Sequence, residues 1–296
     1  MPSTSRSGTP SLTIFALGPL RIVGDAGPID PSTWVRKKSR TLFGYLLCSR
    51  PRGVHKEQLM ELLWPGTDPD RSAHSLQVAL SDLRAGLGER RSARHRGAFI
   101  QRIGDRYSLD VGHGGWIDIE AFGAACEAGR RADAAGDAAT AARHYTEAES
   151  LYAGDFLADE QFSDWAAARR ERVRDEYVDA LLHLLRHHEG AGRLHVAAEY
   201  ARKALTTDPY IEACYRDLMR YAASVGDKAA VMRAYARCER AMREGFDSGV
   251  SAETKALADT LLGFSFETPA PSGRARLPQP APHLARETAA AKRVGI

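Results

Sequence analysis

The chain has no asparagine in its 296 residues, only four cysteines, and no long uncharged apolar run. Each shortage excludes something. Without asparagine, any bidentate amide contact has to come from glutamine. Cys48, Cys126, Cys214 and Cys238 are scattered, with no C-x-x-C pair and no histidine at zinc-ligand spacing. Neither a zinc site nor a disulfide framework is expected, and the thiols read as buried in a reducing cytoplasm. The opening MPSTSRSGTPSL lacks the apolar core of a signal peptide, and no stretch is long enough to span a bilayer. The expected protein is soluble, cytoplasmic and without a membrane partner. Motifs of chemistry are missing too: no G-x-S-x-G elbow, no G-x-x-x-x-G-K-[ST] phosphate loop, no H-E-x-x-H, and no G-x-G-x-x-G after a strand. His187 and His188 are adjacent, so on a helix they point about 100° apart and cannot ligate one metal together. No catalytic residue, metal or cofactor is expected, and the protein reads as not an enzyme.

What is present is an uneven charge. Residues 1–115 hold 17 Lys and Arg against 10 Asp and Glu, whereas residues 116–265 hold 19 against 26. A basic front half suits a polyanion, and an acidic second half suits protein contacts.

The hydrophobic pattern divides at the same place. Residues 12–30, LTIFALGPLRIVGDAGPID, alternate β-formers with Gly and Pro turns and predict short antiparallel strands. WVRKKSRTLFGYLLCSRP sets Leu42, Phe43, Leu46 and Leu47 on one helical face, and HKEQLMELLWPG does the same with Leu59, Leu62, Leu63 and Trp64. RSAHSLQVALSDLRAGLG predicts a third helix from near Asp70 to Gly88. GAFIQRIGDRYSLDVG then predicts a hairpin, Phe99 to Ile103 and Arg106 to Leu109. Sheet, three helices and hairpin are the outline of a winged helix, residues 12–112. Gly112 to Gly115, GHGG, reads as a linker. Residues 116–263 are helical and alanine-rich, with turns at Gly136-Asp137, Gly192-Arg193 and Gly226-Asp227 and a long helix from Asp164 to about Glu189. The last two turns are 34 residues apart, the tetratricopeptide period, which aligns Ala198 with Met232, Ala201 with Tyr235 and Ala204 with Cys238. The fold class is therefore an α+β winged helix-turn-helix followed by an all-α tetratricopeptide-like domain. Residues 1–11 and 264–296 are expected to be disordered ends.

On the third helix Leu76, Leu80, Leu83 and Leu87 form the core stripe, and His74, Val78, Ser81 and Ala85 lie opposite. Such a small, mildly polar face suits approach to a major groove, where Val78 can meet a thymine methyl, Gln77 can pair with adenine and Arg84 can reach guanine or a phosphate. Arg36, Lys37, Lys38 and Arg40 at the first helix, with Ser39 and the free N–H groups beside them, are candidate phosphate contacts, as are Arg102 and Arg106 beside the hairpin turn. An ordinary solvated surface explains each cluster alone; their coincidence points to DNA. Asp82 fits least well. It can accept from a cytosine amino group, pair with Arg71 or Arg36, or repel phosphate.

The order LxxLWP, DPDRSAHSLQVALSDLRAGLG, GDRYSL and IDIEAF resembles the SARP-type antibiotic-pathway activators of actinobacteria. LYAGDFLADEQFSDWAAARRERVRDEYVDALLHL and the helices after it resemble their bacterial transcriptional activator domain. The resemblance runs from about Leu12 to Gly263. It implies a response-regulator-type winged helix that binds promoter repeats, commonly as a dimer, and recruits RNA polymerase, here for a secondary-metabolite gene cluster. Where the family usually reads S-R-L-R-R, this chain reads Ser81-Asp82-Leu83-Arg84-Ala85, and His55 stands where a capping Ser or Thr is common. Asp82 is also the signature of the rival reading, an interaction adaptor that kept the winged helix and lost DNA binding.

Overall fold

The computed structural model describes residues 10–34, 36–89, 99–160 and 163–263. Apart from Pro10 and Ser11, the expected disordered ends lie outside these residues. Three strands open the chain, β1 (Leu12–Phe15), β2 (Arg21–Gly24) and β3 (Gly27–Ile29), paired antiparallel in sequence order. Their alternation puts Leu12, Ile14 and Ile22 in the core. Then come α1 (Lys37–Cys48), β4 (Val54–His55), α2 (Lys56–Leu63), α3 (Pro69–Gly86) and the hairpin β5 (Ile100–Ile103) and β6 (Arg106–Leu109). β4 adds to the hairpin as a third strand, in the order β4-β6-β5. The expected apolar stripes are buried, Leu62 and Trp64 only partly. His55 caps α2 in place of a hydroxyl residue. Its Nδ1 accepts from the Glu57 N–H at 3.4 Å, while its own N–H donates to Gln58 Oε1 at 3.4 Å.

The segment read as a linker is part of the fold. A Cβ on Gly112 would collide with the Pro10 carbonyl oxygen, and one on Gly115 with that of Val111, so the chain turns tightly here on glycine. It then enters β7 (Trp116–Ile117), which pairs parallel to β1 with Thr13 opposite Trp116 and Ile14 opposite Ile117. The first sheet is thus β3-β2-β1-β7, and its last strand belongs to the second half of the chain.

That half consists of α4 (Asp118–Ala134), α5 (Ala138–Leu151), α6 (Asp164–Gly190), α7 (Leu194–Thr207), α8 (Glu212–Ser224), α9 (Lys228–Phe246) and α10 (Ala252–Leu262). The turns α4/α5, α6/α7 and α8/α9 share one geometry. Gly136, Gly192 and Gly226 adopt φ of 77°, 70° and 76°, and the N–H of the next residue returns to the carbonyls of Ala132, His188 and Ala222 at 2.9 Å. All three turns therefore repeat, the first included. The small-residue alignment holds for Ala204 and Cys238, both fully buried, and fails for Ala198, which is buried where Met232 is 57% exposed. Cys126, Cys214 and Cys238 are buried, with burial pushing their thiols up to about 12, about 12 and about 11, while Cys48 is only half-buried. No helix among the described residues is long and apolar enough to cross a membrane.

The two halves share one hydrophobic core. Asp118, at the start of α4 and 2% exposed, accepts from the N–H groups of Ala16 and Leu17 at 2.7 to 2.8 Å and of Ile119 at 2.7 Å. The loop between α5 and α6 crosses the β1–β2 turn, with Leu157 N–H to the Ala16 carbonyl at 2.8 Å and Gly18 N–H to that of Asp155 at 3.0 Å. α1 packs on α6 through Tyr45 and Trp165, ring centroids 5.5 Å apart. Farther along α6, His183 Nδ1 lies 2.9 Å from Asp133 Oδ2, which also accepts from the Tyr145 hydroxyl at 3.1 Å, and the Tyr145 and His183 rings stack at 4.6 Å.

Three outcomes follow from this packing. Asp118→Ala strands buried N–H donors and should cost on the order of 3 kcal/mol in a denaturant melt. A fragment ending at residue 115, lacking β7 and Asp118, should melt well below the full chain; an equal midpoint would show that the sheet does not need its fourth strand. Burial of His183 holds its imidazole below the usual range, with Asp133 opposing, so its neutral form is favoured in the fold. Its contribution is present above the ordinary imidazole range and is lost as pH falls through the depressed value. Thermal midpoints measured from pH 7.5 down to about 5 should fall, and less steeply in His183→Gln, whose amide can still donate to Asp133.

Candidate nucleic-acid interface

α3 is capped by Asp68, whose Oδ1 accepts from the N–H groups of Asp70 and Arg71 at 3.1 and 3.2 Å, with Pro69 at the first helical position. Leu76, Ala79, Leu80 and Leu83 are buried beneath it. Opposite them His74, Ser81 and Ala85 are exposed and Val78 is half-exposed. This strip is the helix's open face, and both its flanks are engaged.

On one flank the helix meets the β5–β6 hairpin. Gln77 Nε2 donates to the Tyr107 hydroxyl at 3.1 Å, and Arg84 donates to the Ile100 carbonyl at 3.1 Å while its guanidinium lies 3.6 Å from Glu89. Gln77 remains exposed, but one of its amide atoms is taken, and Arg84 holds the hairpin base rather than standing free. On the other flank the Trp34 ring, 8% exposed and edge-on to Phe43 at 5.4 Å, lies against Gly86. Asp82, one turn before Gly86, is half-buried, its Oδ2 inaccessible to solvent and without a hydrogen-bond partner. Of the three readings open for Asp82, pairing with Arg71 or Arg36 is not seen, since its buried Oδ2 has no hydrogen-bond partner.

The basic groups divide likewise. Arg36 and Lys37 are exposed. Lys38 donates to the Leu63 carbonyl, with its ammonium 4.8 Å from the Trp64 ring centre. Arg40 pairs with Asp159 at 3.6 Å and Glu160 at 3.3 Å across the junction with the helical half. Ser39 is fully buried and donates to the Ala79 carbonyl at 3.3 Å. The expectation that Ser39 meets phosphate is therefore corrected, because Ser39 is the small residue where α1 crosses α3; Arg40 is partly exposed and ion-paired toward the helical half. At the hairpin turn Arg102 donates to the Gly104 carbonyl and to Asp105, and Arg106 to the Gly53 carbonyl. Both remain exposed, and between them Ile103 projects 74% exposed. The sequence reading passed over Ile103, although an isoleucine beside a Gly-Asp turn has no core to face and could have been noticed. Among the described residues no group of His, Cys, Asp or Glu side chains converges to hold a metal ion.

Residues 117–262 match the family model of the bacterial transcriptional activator domain. That match supports a transcriptional regulator. Among solved structures, the chain is similar to Mycobacterium tuberculosis EmbR, determined in complex with a low-affinity phosphopeptide, at 22% identity and a TM-score of 0.67. The likeness covers 86% of this chain and 65% of that one, and it establishes a shared fold. No curated protein sequence matches the chain.

The contact between α3 and Trp34 is testable by a single methyl group. In an open helix Gly86→Ala would gain about 1 kcal/mol. Here the new Cβ would sit 2.6 Å from Trp34 Nε1, in a packed interior that cannot yield cheaply. The substitution should instead lower stability by roughly 1–3 kcal/mol in a denaturant melt, and a gain would show that Trp34 does not rest on this helix.

Proposed function

We propose that the protein is a sequence-specific, DNA-binding transcriptional activator without catalytic activity, confined to the cytoplasm and its nucleoid. Residues 12–112 act as a winged helix-turn-helix, with α3 as recognition helix and the β5–β6 hairpin as wing. Residues 116–263 act as a tetratricopeptide-like activator domain that contacts RNA polymerase and a second copy on promoter repeats of a biosynthetic gene cluster, as the family resemblance implies. The observation that carries this reading is the open strip of α3 set beside an exposed hairpin and next to an activator domain. A strip of His, Val, Ser and Ala lets the helix backbone approach base edges closely.

Within this reading His74, Val78 and Ser81 read bases directly, and Gln77 contributes through its free amide oxygen. Arg84 acts through the hairpin it holds. Arg36 and Lys37 neutralise phosphates, joined by Lys38, Arg102 and Arg106 where their side chains swing free of the carbonyls. Ile103 enters the minor groove at the hairpin tip as an apolar contact.

Mobility shift and binding-site selection on the chain's own upstream DNA test the proposal. Affinity should fall steeply with salt. Lys37→Ala should weaken all sequences alike and reduce the salt slope by about 1, whereas Ser81→Ala or Val78→Ala should relax preference at one base pair by roughly 1–3 kcal/mol. Binding without any sequence preference, or none at all, would favour the adaptor reading.

A further inference from the structure

Among the described residues four buried side-chain polar atoms lack a hydrogen-bond partner: Trp34 Nε1, Arg40 Nε, Asp82 Oδ2 and His188 Nδ1. Arg40 is nevertheless ion-paired with Glu160, and His188 lies in the helical half, stacked on Tyr200. The remaining two are a donor and an acceptor on one flank of α3. An indole N–H can only donate and an ionised carboxylate can only accept.

Both lie on the flank of α3 that Gly86 occupies. Trp34 Nε1 occupies the space that a side chain on Gly86 would fill. A helical side chain leans toward the helix N-terminus and covers the turn before its own Cα. The space above Gly86 is therefore the space over the turn that begins at Asp82, four residues earlier on the same face. A buried orphan donor and a buried orphan acceptor each carry a desolvation cost, and a small side-chain rotation that joins them removes both.

We propose that Asp82 is a positioning residue, accepting a hydrogen bond from Trp34 Nε1–H and thereby locking α3 against α1 and the segment that enters it. Trp34 already bears on Phe43 of α1 and on Gly86 of α3, so the bond closes a clasp between the two helices. The acid at this position then serves the orientation of the open strip and touches no base. It needs no basic neighbour, in keeping with its lack of any ion pair. The proposal stands on contacts within the protein, so it survives or fails independently of DNA binding.

The test uses the full-length protein labelled with nitrogen-15. Its four tryptophans give four indole N–H resonances, and the one lost in Trp34→Phe identifies Trp34. Asp82→Ala should move that resonance upfield, and Asp82→Asn, which keeps an acceptor oxygen, should move it less. The fall in thermal midpoint caused by Asp82→Ala should shrink markedly in the Trp34→Phe background, since the two residues share one interaction. Binding-site selection should return the same preferred sequence for Asp82→Ala as for wild type. A Trp34 resonance indifferent to both Asp82 variants, with additive losses of stability, overturns the proposal. So does loss of preference at a single base pair with the indole signal unmoved, which would return Asp82 to the groove. Should the wild type bind no DNA, the functional reading falls while the indole signal still decides this one.

Discussion

The Asp118 carboxylate joins the two halves of the molecule into one frame. Burying an acid is costly, and burial does raise its pKa, yet the backbone N–H groups of Leu17, Ala16 and Ile119 oppose that shift by favouring the charged form. Ala16 and Leu17 lie about a hundred residues from Asp118 in sequence, so these bonds exist only when β1, β7 and α4 are assembled together. Around it the α5–α6 loop is threaded against the β1–β2 turn, with Leu157 buried at a φ of 51° that a leucine tolerates only when its surroundings enforce it. Arg170 braces this loop by donating to the Phe156 and Glu160 carbonyls.

This frame changes how the charge division reads. Part of the opposition between a basic front half and an acidic second half is used at their junction, where Arg40 meets Asp159 and Glu160 and Arg50 meets Glu120. Partly exposed pairs of this kind contribute little stability, so cohesion rests on the shared apolar core and the Asp118 bonds, and the ion pairs set alignment. Because α1 touches α3 on one side and α6 on the other, the open strip of α3 has a fixed orientation relative to the helical half. A partner held by the strip and a partner held by the helices would thus be placed at a set angle.

What the sequence made legible follows the range of the interactions involved. Helical stripes, the hairpin, the long helix from Asp164 and the glycine turns depend on neighbours within a turn or two, and all appear as expected. Local patterning also located the open face of α3. It could not show which candidate residues were already engaged: Gln77 and Arg84 on α3 are held by Tyr107 and Ile100, and on α1 Ser39 is held by Ala79 and Arg40 by Glu160, all through contacts of long sequence separation. GHGG was misread for the same reason. Glycines that serve a tight return to a parallel strand look identical, in one dimension, to glycines that serve a loose tether.

For the DNA-binding reading these engagements set a physical limit. With Arg84 and one face of Gln77 committed inside the protein, the strip offers His74, Ser81 and the Val78 methyls to base edges. Each good base contact discriminates by about 1–3 kcal/mol, so one copy on one site separates its target from other sequences only modestly. Affinity from the exposed basic groups adds to every sequence alike and does not sharpen the choice. Discrimination can then grow by multiplication, when two copies on adjacent sites each add their own contacts and raise the other's effective concentration. The contacts that set the strip against the helical half would make such pairing selective, because two copies held at that angle favour sites whose spacing suits it.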